Sequence, residues 1–522
     1  MNYQPLFVLT IYSHFFKITQ PTPRIAHILN HYFRKYDQTQ WVRERARWVM
    51  KVIKTFAYED PHGYEFRLHI HELQKLQTYL ADQHITENLY TVIVAPMFAP
   101  VSIGVEMNKD RILRDYQVPV VDYAVDDWST ALKSQRLEKP ETRSKFVGLQ
   151  TGKGKATISC ATVARLKVRT LILIKPTYME KWVNDIQVNL TVPPHRVMTI
   201  SGFKQLKALI ALGITGNLDA DIIIMSSRTH QMYYKMYQHE PNGSMTLGMG
   251  CLPDELYPTL GIGLILMDEF HQEFHANYIG LLYTHVPRIL VTTATLDSYD
   301  SFMKKMYEVT FPPLSRYKTL DHDKYIGTFA IGYRFKRPEK IRTTEFNSNF
   351  YSHTVFEKCV RRHKPTFHNY RRLIHYIVEN AYVKRYMPGD KLAIFASSIV
   401  MCDELTEYFQ TKYPNLSVKR YCEDDPYDNV ITPDIRISTP GSMGTGIDIP
   451  GLRIVVNTIN VDSLQSNQQI LGRLRPIPDR DVRYYYIYAE NIPKHKEYHA
   501  RRKKLLLDKV AGIKEFFYGE EI

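Results

Sequence analysis

The chain has 522 residues, with 68 Lys and Arg against 54 Asp and Glu and a net charge of +14. The length excludes a single small core and leaves room for two to four domains, and the basic excess favours a polyanionic partner, nucleic acid first. The five cysteines, none in a CxxC pair, argue against a zinc site or a disulfide framework and suit a reducing cytosol; no apolar run reaches the ~18 residues that would span a membrane. The opening stretch "MNYQPLFVLTIYSHFFKIT" lacks a basic leading region and a small-residue cleavage site, so it is expected to be strand rather than signal peptide.

Residues 1–105 read as a small α+β unit. "PTPRIAHILNHYFRKY" predicts a helix opened by Pro; "ARWVMKVIKTFAYED" and "GYEFRLHIHELQKLQTYLAD" predict two strands and a second helix; "LYTVIVAP" predicts another strand. Arg34, Lys35, Arg43, Arg45, Arg47, Lys51 and Lys54 interleave there with Tyr32, Trp41 and Trp48. That mixture suits gripping a phosphate backbone and stacking on bases.

From about residue 106 short β-branched runs alternate with helical stretches, the pattern of a parallel α/β sheet. "TLILIKP" (170–176), "DIIIMSS" (221–227), "LGIGLILMDE" (260–269) and "RILVTTAT" (288–295) form one set of buried-strand candidates. "KLAIFASS" (391–398), "DIRISTP" (434–440), "RIVVNT" (453–458) and "VRYYYIYAE" (482–490) form a second. Two sets predict two similar domains, at 106–325 and 326–500, with the Pro-, Lys- and Tyr-rich segment around 298–345 as the connection. The tail, 501–522, is expected to be a basic amphipathic helix.

Five stretches carry candidate chemistry. "GLQTGKGKATIS" (148–159) is a glycine-rich turn running into a helix, where backbone N–H groups attract phosphate and Lys155 is placed for the terminal phosphates. A phosphate loop normally has Ser or Thr after that lysine to bind Mg²⁺; here Ala156 stands there and Thr157 follows one place late. "LILMDEFHQEFH" (264–275) delivers Asp268 and Glu269 at a strand end, where one carboxylate can serve Mg²⁺ and the other an attacking water. "TTATL" (292–296) offers small hydroxyls that relay contacts from an acidic pair. "STPGSMGTGIDIPG" (438–451) and "QQILGRLRP" (468–476) offer a glycine-rich loop closed by Asp448, then Gln469, Arg473 and Arg475 at helical spacing. Arginines delivered to a γ-phosphate from another domain accelerate phosphoryl transfer by ~10³–10⁵.

The order of these pieces resembles the superfamily 2 helicases and translocases. "QTGKGKA" looks like motif I, "KPTYMEKW" like Ia, "MDEFH" like II, "TAT" like III, "GTGIDIPG" like V, "QILGRLR" like VI, and "LRDYQ" (113–117) like the upstream adenine-binding segment. Within that superfamily the "RDYQ", "LQTGKGK" and "GRLR" forms, the overall size and a small N-terminal domain are most similar to the bacteriophage UvsW-type recombination helicases.

The resemblance implies an α/β fold of two tandem RecA-like parallel-sheet domains preceded by a small α+β domain. It implies ATP and Mg²⁺ as cofactors. Tyr116 and Gln117 would hold adenine. Thr151, Gly152, Lys153, Gly154, Lys155, Ala156 and Thr157 would line the phosphates. Asp268 would hold Mg²⁺ through water, with Glu269 as general base. His271 and Gln469 would couple the site to the second domain, and Gly446 and Asp448 would help to bind the nucleotide. Arg473 and Arg475 remain alternatives for the γ-phosphate contact, because Pro476 stands where motif VI usually has its last arginine. The implied activity is an ATP-dependent DNA helicase or translocase acting on single-stranded, forked or four-way DNA, with phage replication or recombination proteins as partners, in the host cytoplasm. The alternatives are an RNA helicase of the same superfamily and a nucleic-acid clamp whose hydrolysis is impaired by Ala156.

Overall fold

The computed structural model describes residues 5–44, 47–126, 143–149, 152–240, 243–293, 300–317, 324–345, 350–422, 425–443 and 449–522. One compact unit comprises residues 1–149 and 153–319, and the remainder of the chain forms a second.

The first unit begins with a mixed sheet of β1 (Val8–Ile11), β2 (Phe15–Thr19), β5 (Tyr58–Glu59), β6 (Glu65–His69) and β7 (Thr91–Val94), in the order β5-β6-β2-β1-β7. β1 pairs antiparallel with β2 and parallel with β7. A separate antiparallel ribbon joins β3 (Asp37–Glu44) to β4 (Arg47–Thr55). The helix Pro23–Phe33 starts on Pro23, whose missing N–H costs nothing at a helix start, and it buries Ile25, Leu29, Tyr32 and Phe33.

The small α+β sheet shares one continuous apolar core with the domain that follows. Phe56 packs against Phe274, Tyr278 and Phe302. Arg67 on β6 is fully buried; its guanidinium donates to the Leu282 carbonyl at 3.2 Å and pairs with Asp254 at 3.3 Å. Lys17 on β2 meets the same Asp254 carboxylate at 3.2 Å. Although burial pushes Asp254 upward, Arg67 and Lys17 together hold its carboxyl below the usual range.

The larger sheet of this unit contains β8 (Ser144–Gly148), β9 (Thr170–Ile174), β10 (Val197–Ile200), β11 (Ile222–Ser226), β12 (Leu264–Asp268), β13 (Arg288–Thr293) and β14 (Arg316–Tyr317). Its order is β10-β11-β9-β12-β13-β8-β14, and every pairing is parallel. β9 and β11 are buried throughout, which is why they read as unbroken apolar runs. β13 lies between the loop-bearing strand β8 and the acidic strand β12, the RecA-like arrangement.

The second unit repeats the design with β15 (Ile326–Tyr333), β16 (Lys391–Phe395), β17 (Val418–Tyr421), β18 (Ile435–Ser438), β19 (Leu452–Asn457), β20 (Val482–Ala489) and β21 (Gly512–Phe517). The order β17-β18-β16-β19-β20-β15-β21 is again wholly parallel. The fold is therefore two RecA-like domains with a small N-terminal α+β sheet. Among the described residues no helix is long and apolar enough to cross a membrane.

Two expectations are corrected. The segment 298–345 is more than a connection: it supplies the helix Ser301–Thr310 and the interior strand β15, whose Gly327, Ala330 and Gly332 dilute its apolar run. The tail is not one helix. A helix Pro493–Leu506 ends before Gly512, and "GIKEFF" then pairs with β15 as an edge strand, because Ile and Phe favour the pleated surface.

Candidate active site

The chemistry gathers at the C-terminal ends of β8, β12 and β13, where ligands bind in parallel α/β sheets. Gly152 and Gly154 have φ of +91° and +76°, the left-handed region that glycine enters without strain. A Cβ on Gly154 would strain the backbone at that φ and displace Gln117 Nε2 from its place beside the loop. Gly154 caps the helix Lys155–Leu166. Its first-turn N–H groups and positive dipole end form a cradle for an anion. The residues present therefore fit a nucleotide phosphate chain.

Tyr116 and Gln117 brace this loop. Gln117, 3% exposed, donates through Nε2 to the Lys153 carbonyl at 3.0 Å, and its Oε1 accepts the Arg114 N–H at 2.9 Å. The Tyr116 hydroxyl donates to the same Lys153 carbonyl at 3.3 Å, and the Lys153 ammonium lies 5.1 Å from the Tyr116 ring centre.

Lys155 opens its helix with its ammonium on the Glu269 carboxylate and 3.9 Å from Asp268 Oδ1. Asp268 ends β12, and Glu269 follows with φ +51°. Successive strand residues point to opposite faces. The left-handed step at Glu269 breaks that alternation and lets adjacent carboxylates share one lysine. Such a conformation costs a non-glycine residue about 1–2 kcal/mol. It is held by the Glu269 N–H, which donates to the Thr292 carbonyl at 2.8 Å and to Asp268 Oδ1 at 3.0 Å.

The hydroxyls of β13 complete the cluster. Thr292 Oγ1 donates to Asp268 Oδ1 at 2.9 Å, Thr293 Oγ1 to Glu269 Oε2 at 3.5 Å, and Thr293 shares a hydrogen bond with His271 Nδ1. His271 Nδ1 lies 3.4 Å from Glu269 Oε2. Burial pushes Asp268 above the usual carboxylate range; Lys155 pulls it down and Glu269 pushes it up. Burial lowers His271 to about 4, so the imidazole is neutral at pH 7. The sequence showed Thr292 and Thr293 only as part of "TTATL"; their pairing with Asp268 and Glu269 comes from the neighbouring register of β12 and β13.

The first unit thus brings together Tyr116, Gln117, Lys153, Gly154, Lys155, Asp268, Glu269 and His271, with Ala156 and Thr157 in the first turn of the loop helix. Thr151, Gly446 and Asp448 lie outside the described residues. In the second unit, Gln469 belongs to the helix Leu464–Leu471. Arg473 falls in the turn after that helix and Arg475 in the irregular chain beyond it, not on the helix as their spacing suggested, because the chain leaves the helix at Gly472. Arg473 is buried, and the Arg475 guanidinium donates to the Gly472 carbonyl.

One N-terminal aromatic is also reassigned. Tyr32, expected among the base-stacking residues, is 3% exposed and packs against Tyr36 and Tyr79, with the Lys35 ammonium 4.4 Å from its ring centre. Trp41 on β3 is 56% exposed beside its register partner Met50.

No protein-family model and no curated protein matches the chain. Among solved structures the chain is similar to S. cerevisiae Dbp5, in a structure described as bound to RNA and ADP BeF3, at 12% identity and a TM-score of 0.43, over 77% of this chain and 93% of that one.

Proposed function

We propose that the chain is an ATP-driven nucleic-acid motor that remodels branched DNA in phage replication and recombination, in the host cytoplasm. The observation that supports it best is the Lys155 ammonium set between a glycine-turn helix N-terminus and the Asp268–Glu269 carboxylates. ATP with Mg²⁺ supplies the phosphoanhydride whose hydrolysis drives movement. The helix N–H groups and Lys155 bind the phosphates. Asp268 would hold Mg²⁺ through water, and Thr157 or a water would serve where Ala156 lacks a hydroxyl. Glu269 accepts the proton of the attacking water, oriented by His271 and Thr293. Tyr116 and Gln117 shape the adenine end. His271 and Gln469 couple the site to the second domain, whose Arg473 or Arg475 contacts the γ-phosphate.

The +14 charge supports a nucleic-acid track, and the motif resemblance supports branched DNA as the substrate. The exposed Trp41 with Lys51 and Lys54 on the β3–β4 ribbon suits a grip on a second DNA arm. The test is phosphate release by the full chain with single-stranded, duplex, forked and four-way DNA and with RNA. Stimulation strongest with forked or four-way DNA is the expected result. Stimulation by RNA alone would reassign the track. No release with any of them would leave only a nucleic-acid clamp.

A further inference from the structure

The second domain carries a cleft of about 990 Å³ on one face of its sheet, toward the β21 edge, flanked by the helix Lys364–Ala381. We propose that this cleft is a second nucleic-acid site, one that takes unpaired bases of a single strand; the proposal rests on the nucleic-acid reading above.

Its floor is an aromatic ladder. Tyr485 on β20 and Phe329 on β15 are register partners, with ring centres 4.7 Å apart and planes within 13°. Phe516 on β21 continues the stack at 6.1 Å and 22°. The ladder runs outward from core to solvent: Tyr485 is 8% exposed and Phe516, on the edge strand, 51%. Across the cleft Tyr376 is 55% exposed and meets Tyr518 at 5.6 Å. These exposed rings line one cleft together rather than lying singly on the surface.

The rim decides what kind of molecule fits. Five lysines and arginines line the cleft against two glutamates, Glu379 and Glu520. The Arg483 guanidinium lies 5.7 Å from the Phe329 ring centre, and Arg372 reaches Glu520 at 3.1 Å. A net positive rim around parallel rings is complementary to a phosphate backbone with bases that stack. A duplex keeps its base faces hidden; only an unpaired strand offers a π-face to extend the ladder from Phe516. Two exposed aromatic platforms face the cleft, Phe516 at the open end of the ladder and Tyr376 on the flanking helix, enough to stack two bases.

The test uses the full chain and a 20-nucleotide single-stranded DNA carrying one 5-iodouracil at successive positions. Ultraviolet crosslinking followed by peptide mass spectrometry should place adducts on Phe516, Tyr376 or Tyr518. Phe516→Ala with Tyr376→Ala changes two exposed rings and spares the core. It should remove the adducts at positions 516 and 376 and weaken single-strand affinity about 5- to 100-fold at fixed salt. Phosphate release at saturating DNA should stay at the parent level. Adducts confined to other surfaces, with unchanged affinity in the double variant, would overturn the site. So would a concentration-dependent dimer that the same substitutions abolish, since the edge strand would then be covered by a second copy. Release that no nucleic acid stimulates in the unaltered chain would instead remove the parent reading; stimulated release without cleft adducts removes only this one.

Discussion

Glu269 is the residue on which the proposed chemistry turns. It stands in a left-handed conformation, touches Lys155 and lies within reach of Thr293 and His271. Glu269→Gln keeps shape and hydrogen bonding but cannot accept a proton. Phosphate release should fall about 10²- to 10⁴-fold while ATP binding, followed by a fluorescent analogue, persists. Near-parental turnover would reassign the base. Ala156 is the second informative residue, because the first turn of the loop helix lacks a hydroxyl where one normally binds Mg²⁺. Ala156→Thr should lower the Mg²⁺ concentration for half-maximal phosphate release by several-fold. An unchanged requirement would show that Thr157 or water already serves the ion. Lys155, Asp268 and Glu269 were legible in the sequence because a phosphate loop and an acidic strand end are contiguous chemical patterns. The bracing of the loop by Gln117 was not legible as such: a bond from Nε2 to the Lys153 carbonyl joins residues 36 apart.

Among the elements, β6 and β2 matter most to the seam between the N-terminal sheet and the domain that follows. Arg67 is wholly buried, with its guanidinium 4.3 Å from the Tyr283 ring centre and its Asp254 partner shared with Lys17. Arg67→Ala leaves Asp254 with Lys17 alone and removes the donor to the Leu282 carbonyl and to Glu65. It should therefore cost about 2–4 kcal/mol, less than a fully stranded charge, read from urea unfolding. Arg67→Lys should recover only part, since an ammonium cannot reproduce the planar fork that serves Leu282, Asp254 and Glu65 together. A loss below ~1 kcal/mol would mean that the aromatic packing around Phe56 carries the seam alone. Element legibility followed hydrophobic continuity. β9, β11, β12 and β13 were readable as apolar runs, whereas β8 contains Ser144, Lys145 and Gly148 and hides its strand character. Lys145 is tolerated there because its buried ammonium donates to the Asp126 carbonyl at 2.6 Å.

Across the whole molecule, buried histidines set an acid limit on stability. His14, His69, His71 and His230 in the first unit, and His353 and His495 in the second, are held below the ordinary value of 6.5, in each case first by burial. His71 and His230 come down to about 4 and His353 to about 3. The unfolded chain takes up protons below pH 6.5 while the folded chain does not until near pH 4. Stability is thus unaffected by these groups above 6.5 and falls as pH drops through the window from 6.5 to 4. Each such histidine contributes up to about 1.4 kcal/mol per pH unit within it. The urea midpoint should be clearly lower at pH 5 than at pH 7.5, and a flat profile would show that these histidines are hydrated in solution. The sequence by itself determined two successive parallel α/β sets and the order of their chemical stretches, since buried parallel strands need unbroken apolar runs and phosphate chemistry needs particular residues in short spacing; the motif resemblance added their RecA-like character. Only the tertiary structure decided that the N-terminal sheet shares a core with its neighbour, that Tyr32 is buried while Trp41 is exposed, that β15 and β21 complete the second sheet, and that Glu269 turns left-handed beside Thr292 and Thr293. Those outcomes depend on contacts between residues far apart in the chain, where burial and hydrogen-bond satisfaction outweigh local preference.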